Sequence, residues 1–533
     1  MNGHEPDLEP RTMASLLDEL ARRRAAALEM GGPERVARHL ESGRLTVRER
    51  IARLLDPDSF YEIGLLALPE RRIERPVPGD GVVTGFGRID GRKVCLIGID
   101  ATVMAGTTAP ISMRKQGKIA AFAAEKGLPL VLLCDADGGR IPDVMGWRFS
   151  GLPFDFRSFL QTPAGFPPIP RVAAVLGPSY GDAALHASTA HFVVMTESGS
   201  VGLSGPSVIE SAIGERISDQ ELGGPEPAQE VGNVHMVVPT EDDAFDAIAA
   251  FLSFLPPNAS LAAPVAPAAE PRLPAERLLS LVPLNPRQGY DMHHVIDAIV
   301  DASSVFPWRD RGGRSVITTF ARIEGMSVGV VASQPMHGAG ALDPPALEKA
   351  HDFADLCDTF NLPLVFLHDV PGLLIGREAE RGGIVKGYER LVARLARTRV
   401  PKIGVVIRKA YGGGHYAMAG QPTRPDLLVC WPSAELGFMA PDTGVRTVNR
   451  RRLERAEAEG GPEARTALEK ELTVEWMDES APWEAAAHLY VDDVIDPRDT
   501  RRVVATGIEF AWGSRGRVGG NGPHAAHSLP TGW

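Results

Sequence analysis

Apolar residues recur at helical spacing along the stretch from Arg11 to Asp58. Within it, Ala14–Met30 carries one apolar face and runs into Gly31-Gly32, which predicts a helix with a glycine stop. Thr46 followed by Glu49 has the spacing of a capping box ahead of Ile51, Leu54 and Leu55, which predicts another. Such an arm serves equally as an oligomer contact or as a cover for its own domain. From Gly81 onward the period changes. Short β-branched runs at Val82–Thr84, Val94–Ile99, Leu130–Cys134, Val172–Leu176 and Phe192–Met195 alternate with helical stretches such as Ile111–Lys126. That alternation predicts an α/β fold. It returns later, with runs at Val316–Phe320, Ser327–Ala332, Leu364–His368, Ile403–Ile407 and Leu427–Cys430. Between the two sets, Pro256–Ala275 is rich in Pro and Ala and has no period, as expected of a linker. The expected organisation is a helical arm over 1–58, a domain over 59–262, a linker over 263–277, a second domain over 278–513 and a tail over 514–533.

The two sets are copies. GFGRIDG at Gly85–Gly91 resembles TFARIEG at Thr319–Gly325, 234 positions later. The same offset relates Gly106 to Gly340, LPLV at Leu128–Val131 to LPLV at Leu362–Val365, Asp135 to Asp369 and Gly138 to Gly372. One offset held across about 50 residues implies internal duplication of a single α/β unit.

Composition narrows the function classes. A chain of 533 residues holds several domains, and 44% hydrophobic with 23% charged residues is ordinary for a globular protein. The net charge of −12 argues against a nucleic-acid partner. Four cysteines, all far apart, support neither a disulfide scaffold nor a zinc ribbon. The 14 histidines are scattered and no HExxH occurs, so no metal is expected. No apolar run approaches the ~18 residues of a membrane span, and the first residues contain no apolar signal core, so a cytoplasmic location is expected.

Glycine-rich turns follow the predicted strands in both halves. The first half has Ala105-Gly106-Thr107, Asp137-Gly138-Gly139 and GPSYGDA at Gly177–Ala183; the second has Gly338–Gly340, Asp369–Gly372 and Ala410–Gly414. Glycine leaves backbone N–H groups open to a ligand. Helical segments are expected after Gly181 and Gly414, and two such amides can hold the negative oxygen of an enolate. No GxxxxGK[ST] occurs, and no GxGxxG follows the first strand. A rival pattern is GPSYG itself, which fits GxSxG and would make Ser179 an acyl-transfer nucleophile. The matching turn Tyr411–Gly414 has no serine, so backbone polarisation of a thioester carbonyl is the favoured chemistry.

The chain resembles the carboxyltransferase (β) subunits of biotin-dependent acyl-CoA carboxylases, of the propionyl-CoA and methylcrotonyl-CoA carboxylase type. The resemblance runs through RERIARLLDPDSFYEIG (Arg48–Gly64), DADGGRI (Asp135–Ile141) and ELGG (Glu221–Gly224). It is densest at Ser280–Asp301, at HDVPGLLIGREAERGGIVKG (His368–Gly387) and at RKAYGGGHYAMAG (Arg408–Gly420), and it closes with DDVIDPRDTRR (Asp492–Arg502). It implies two tandem crotonase-like (ClpP/crotonase) domains in a homohexamer, a trimer of dimers, with the active site between the first half of one subunit and the second half of its neighbour. Carboxybiotin would arrive on a partner biotin carboxylase/biotin carrier subunit, since the chain has no Met-Lys-Met attachment site and no ATP-grasp loop. By the same resemblance, the backbone amides of Gly181 and Asp182 would stabilise the acyl enolate, and those of Gly413 and Gly414 the biotin ureido oxygen. Gly106, Thr107, Arg114, Lys118, Gly138 and Gly139 would meet acyl-CoA. Gly340, Gly372, Tyr411 and Gly412 would meet biotin, and Tyr416 would tune acyl size.

Other candidates have blander readings. Arg114, Lys115 and Lys118 together make a solvated basic face, His337 and His415 are packed histidines, and Asp369 caps the turn after its strand. Two departures stand out. Asp182 replaces a glycine of the family's first turn, and Asp137 stands where the family has serine. A carboxylate beside a developing enolate opposes it. The departures suggest two alternatives to carboxyl transfer: a decarboxylase or biotin-independent transcarboxylase acting on malonyl-type thioesters, or a catalytically silent structural subunit.

Overall fold

The computed structural model describes residues 12–71, 77–153 and 165–512. The chain divides into two units, one up to Phe251 and one from Leu252, and each builds an eight-stranded sheet. In the first, β1 (Tyr61–Ile63), β2 (Val82–Ile89), β3 (Arg92–Ile99), β4 (Leu130–Asp137), β5 (Arg171–Tyr180), β6 (Phe192–Thr196) and β8 (Met236–Val238) lie side by side in that order, and β7 (Ser200–Gly202) pairs with the end of β5. The second repeats this order. β9 (Phe306–Pro307), β10 (Val316–Ile323), β11 (Met326–Ser333), β12 (Leu364–Val370), β13 (Lys402–Tyr411), β14 (Leu427–Cys430) and β16 (Asp493–Val494) are neighbours in sequence order, and β15 (Glu435–Gly437) pairs with β13.

The sequence repeat has a local cause. GFGRIDG and TFARIEG each form the end of one strand and a two-residue hairpin turn. Asp90-Gly91 and Glu324-Gly325 both take positive φ at their two residues, as a turn matched to strand twist requires. Beyond each hairpin the pairing is parallel, and helices cross over between strands. Pro110–Lys126 buries Ile119, Ala120, Ala123 and Ala124 and stops at left-handed Gly127. The central strands are apolar along nearly their whole length, because both faces are covered.

The last helix of the arm packs on its own half. The Thr46–Glu49 capping box is formed, and the helix Val47–Leu54 buries Val47, Ile51 and Leu54. Arg50, 1% exposed, donates to Glu241 at 2.8 Å and lies 3.0 Å from Asp135. The expected linker is also seated: Ala266 N–H donates to Gly325 O at 2.9 Å and Leu273 N–H to Asp297 O at 3.1 Å, so 263–277 runs along the second sheet. An aperiodic Pro-rich stretch is ordered here by backbone pairing, which leaves no periodic signal. The tail expected at 514–533 lies outside the described residues, as do residues 1–11. One element was not foreseen. Arg450–Glu479 is a helix of 30 residues, kinked at Gly461-Pro462. It buries only Leu453 and Leu472, too little apolar surface to mark it in the sequence.

Candidate active site on two matched turns

At the end of β5 and of β13 the chain leaves the sheet through a glycine turn into a short helix, Asp182–Ser188 in one half and Gly412–Ala417 in the other. Tyr180 and Tyr411 close the two strands, 231 positions apart. Gly181 therefore corresponds to Gly412, Asp182 to Gly413 and Ala183 to Gly414.

Around each turn the same scaffold is rebuilt. Gly106 and Gly340 have φ of +66° and +84°, and a Cβ there would lie 2.5 Å from Asp135 O and 2.6 Å from Asp369 O. These two glycines are required by close approach to a strand end. The following residues complete the rim: Thr108 N–H donates to Gly138 O at 2.9 Å, and Leu342 N–H to Gly372 O at 3.1 Å. Beneath each turn sits a buried carboxylate hub. Asp135 takes Arg44 at 2.7 Å and Arg50 at 3.0 Å; Asp369 takes Arg408 at 2.9 Å and Lys409 Nζ at 3.2 Å. Asp369 is thus a buried ion-pair acceptor and not a turn cap, contrary to the sequence reading. Both strand-end tyrosines hand their hydroxyl to an acid, Tyr180 to Asp219 and Tyr411 to Glu435. Tyr411 is buried, so its side chain braces the turn from below.

The open groups differ between the turns. Gly181 N–H is spent on Gly202 O at 3.2 Å, inside the sheet. The Asp182 and Ala183 amides, at the start of the helix Asp182–Ser188, favour the ionised form of the Asp182 carboxyl group beside them. In the second half, β15 pairs with the end of β13 in the same register, Tyr411 opposite Gly437 as Tyr180 is opposite Gly202, and Gly413 and Gly414 lie in the first turn of the helix Gly412–Ala417, where backbone N–H groups have no acceptor within the helix. A Cβ on Gly414 would lie 2.7 Å from Val370 Cγ2 and 2.8 Å from Gly372 Cα, whereas one on Gly413 would make ordinary 3.4 Å contacts with Leu373 and Tyr388. Asp182 Oδ1 receives the Thr108 hydroxyl at 2.5 Å, and burial pushes this carboxyl up to about 6. Asp137 is exposed, and its carboxyl is also raised, by burial first and then by Asp219.

Among the other candidates, Thr107 donates its hydroxyl to Met104 O at 2.6 Å, and Gly139 is exposed beside buried Gly138. Arg114 and Lys118 are exposed on the helix Pro110–Lys126, with Arg114 3.3 Å from Glu70. Lys115, read as part of that solvated face, is instead buried. Its Nζ donates to Gly79 O at 2.9 Å and to Val82 O, and burial pulls the amine down to about 8. Lys349 repeats it 234 positions later, donating to Arg309 O at 3.1 Å and pulled down to about 7. That shared offset was the available signal for two structural lysines. His415 packs against His368 with ring centres 5.6 Å apart, and burial holds it down to about 4. His337 is lowered as well, chiefly by burial. Tyr416 is 40% exposed and borders a cavity of about 510 Å³ with His415, Leu436, Glu484 and Tyr490. Ser179 is fully buried within β5 and donates to Gly177 O at 3.2 Å, so it stands on no elbow and the nucleophile reading fails. No group of three or more metal-ligating side chains and no helix long and apolar enough to cross a membrane occur among the described residues.

The family described as carboxyl transferase domain matches residues 38–518. The chain belongs to the carboxyl transferase family. It is 36% identical over 506 residues to the methylmalonyl-CoA carboxyltransferase 12S subunit of Propionibacterium freudenreichii subsp. shermanii, covering 94% of each chain. It is 37% identical over 525 residues to the biotin-dependent acetyl-/propionyl-coenzyme A carboxylase beta5 subunit of Mycobacterium tuberculosis, covering 95% of this chain and 94% of the other. A crystal structure of transcarboxylase 12S, described as a hexamer assembly with methylmalonyl-coenzyme A bound, superposes with a TM-score of 0.88 at 34% identity, over 98% of this chain and 99% of that one. A single-chain, multi-domain long-chain acyl-CoA carboxylase superposes at 0.82 and 30% identity, over 93% of this chain and 49% of its own. The family that these comparisons return is the one the sequence motifs resemble. The protein is a carboxyltransferase of two tandem crotonase-like units, and neither the decarboxylase nor the silent-subunit alternative finds support.

Proposed function

We propose that this carboxyltransferase moves a carboxyl group from carboxybiotin, carried by a partner biotin carboxylase/biotin carrier subunit, to the α-carbon of a short acyl-CoA. The observation that carries this reading is the pair of matched turns within a family match spanning residues 38–518. The first turn would take the acyl thioester and the second the biotin ureido oxygen. The first-turn amides of Gly413 and Gly414, with no side chain on either, fit a planar polar oxygen brought close to the backbone. We assign the second-half role to Gly413 and Gly414. In the first half the equivalent pair is Asp182 and Ala183, one residue beyond the pair expected from the sequence, because Gly181 N–H already serves the sheet. When bound, carboxybiotin supplies the carbon dioxide and the base for the α-proton. The protein's own part is to hold both oxygens and to brace each turn on its carboxylate hub. Gly106, Thr107, Arg114, Lys118, Gly138 and Gly139 would line the acyl-CoA side, Gly340 and Gly372 the biotin side, and Tyr416 with its cavity would limit the acyl chain. A homohexamer working in the cytoplasm, with no metal in this subunit, completes the proposal.

The test is fixation of labelled bicarbonate into a panel of acyl-CoA thioesters, with and without the cognate biotin subunits. Label in the acid product only when those subunits are present is the expected result. Fixation or decarboxylation that ignores them would overturn it.

A further inference from the structure

The first turn carries a hydroxyl and a carboxyl that the second lacks. Thr108 and Asp182 face each other at 2.5 Å, while their counterparts are Leu342 and Gly413. The scaffold is complete without this pair, so the pair has another use. Thr108 Oγ1 has one hydrogen and two acceptors in range, Asp182 Oδ1 at 2.5 Å and Gly138 O at 3.2 Å. A single hydrogen cannot serve both. If Asp182 carries a proton, the contacts form a complete chain: the acid donates to Thr108 Oγ1, and the Thr108 hydroxyl donates to Gly138 O. The other oxygen, Oδ2, is buried with no hydrogen-bond partner among the described residues, which a neutral acid tolerates far better than an anion.

Among the described residues, the elements around Asp182 offer no uncommitted counter-charge. On Asp182's own helix, His186 is held neutral by burial, which takes it down to about 4. On β4, Cys134 is pushed up to about 12, Asp135 is committed to Arg44 and Arg50, and Asp137 is itself an acid. At the end of β5, Tyr180 is bonded to Asp219. After Gly138, Arg140 is paired with Asp80 at 2.6 Å. What moves the Asp182 proton equilibrium is burial, offset in part by Thr108 and the two turn amides.

We propose that Asp182 works as a neutral carboxylic acid sharing its proton with Thr108, and that its ionisation closes the acyl half-site to a developing enolate oxygen. The neutral acid leaves the Asp182 and Ala183 amides available to substrate. The anion would claim those amides and repel a second negative oxygen. This rests on the proposed function in one respect, that the first turn faces the thioester.

The test has two readouts. Infrared difference spectra of the full-length protein against Asp182→Asn, over about pH 5 to about pH 8, should contain the carbonyl stretch of one protonated carboxylic acid that fades near the value of about 6. No such band at any pH overturns the proposal. With the cognate biotin subunits present, kcat/KM for acyl-CoA should fall about tenfold per pH unit above that point in the wild type and stay level in Asp182→Asn. Superimposable pH profiles of the two enzymes would overturn the catalytic half even if the band titrates. A titrating band in an enzyme that fixes no bicarbonate into any acyl-CoA upholds the acid and overturns the functional reading instead.

Discussion

The turn after β5 and the turn after β13 share a strand, a bracing tyrosine–acid pair and a buried carboxylate hub, yet they end in different chemistry. The second places glycine at all three of its positions, Gly412, Gly413 and Gly414. The first places a buried carboxyl group, Asp182, at the middle one and a methyl group, Ala183, at the last. Duplication has preserved what holds the turns in place and released what they present. The hubs, the buried lysines Lys115 and Lys349 and the close-packed glycines Gly106 and Gly340 recur at a single offset, because each satisfies a backbone carbonyl or a packing limit that any copy of the sheet must meet.

The comparison breaks most sharply at Gly414. Gly414→Val places carbon within 3 Å of Val370 and Gly372, and we expect a loss of carboxylation of about a hundredfold or more with destabilisation of about 1–3 kcal/mol. Bicarbonate fixation and thermal unfolding measure the two, and near-normal values in both would remove Gly414 from the site. Next comes Asp182→Asn as a stability probe. The folded value of about 6 lies above the unfolded 3.8, so the acid's stabilising contribution is complete below about pH 4 and is lost as pH rises through about 6. The variant should therefore gain about 3 kcal/mol on the wild type between about pH 4 and about pH 8. Denaturant unfolding at the two pH values checks this, and a gap that does not grow with pH contradicts it. Gly413→Ala meets only ordinary contacts, so the fold should hold while activity falls about tenfold through displacement of the bound oxygen. A melting temperature lowered as far as in Gly414→Val would make that loss structural. The smallest effect belongs to Ser179→Ala, which removes one buried hydroxyl contact. Turnover should stay within about twofold and stability within about 1 kcal/mol; abolished turnover would restore the nucleophile reading.

Much of this was legible in the sequence. Every strand expected from β-branched runs exists, most of them longer than the runs themselves, because polar residues near the strand ends still pair. Asp137 extends β4 and Arg408–Tyr411 extends β13. The tandem duplication could be read from a constant offset, since the hairpin turns demand Asp-Gly or Glu-Gly at fixed places. The register of the second turn could not. From the start of β4 to the start of β5 the first half is three residues longer than its counterpart, so the offset drops from 234 to 231. Asp369 and Lys115 were misread for a related reason. Their partners, Arg408 and the Gly79 carbonyl, come from distant chain positions that local sequence does not connect.

All ten residues of β13 are buried, and the strand is flanked by β12 and β14 with β15 along its end. Amide protons in such a strand exchange with solvent only when the whole unit opens. Gly413 and Gly414 thus follow directly from a strand buried along its whole length. Local fraying elsewhere leaves their aim unchanged, and isotope exchange in Lys402–Tyr411 should report the lifetime of the assembled turn itself.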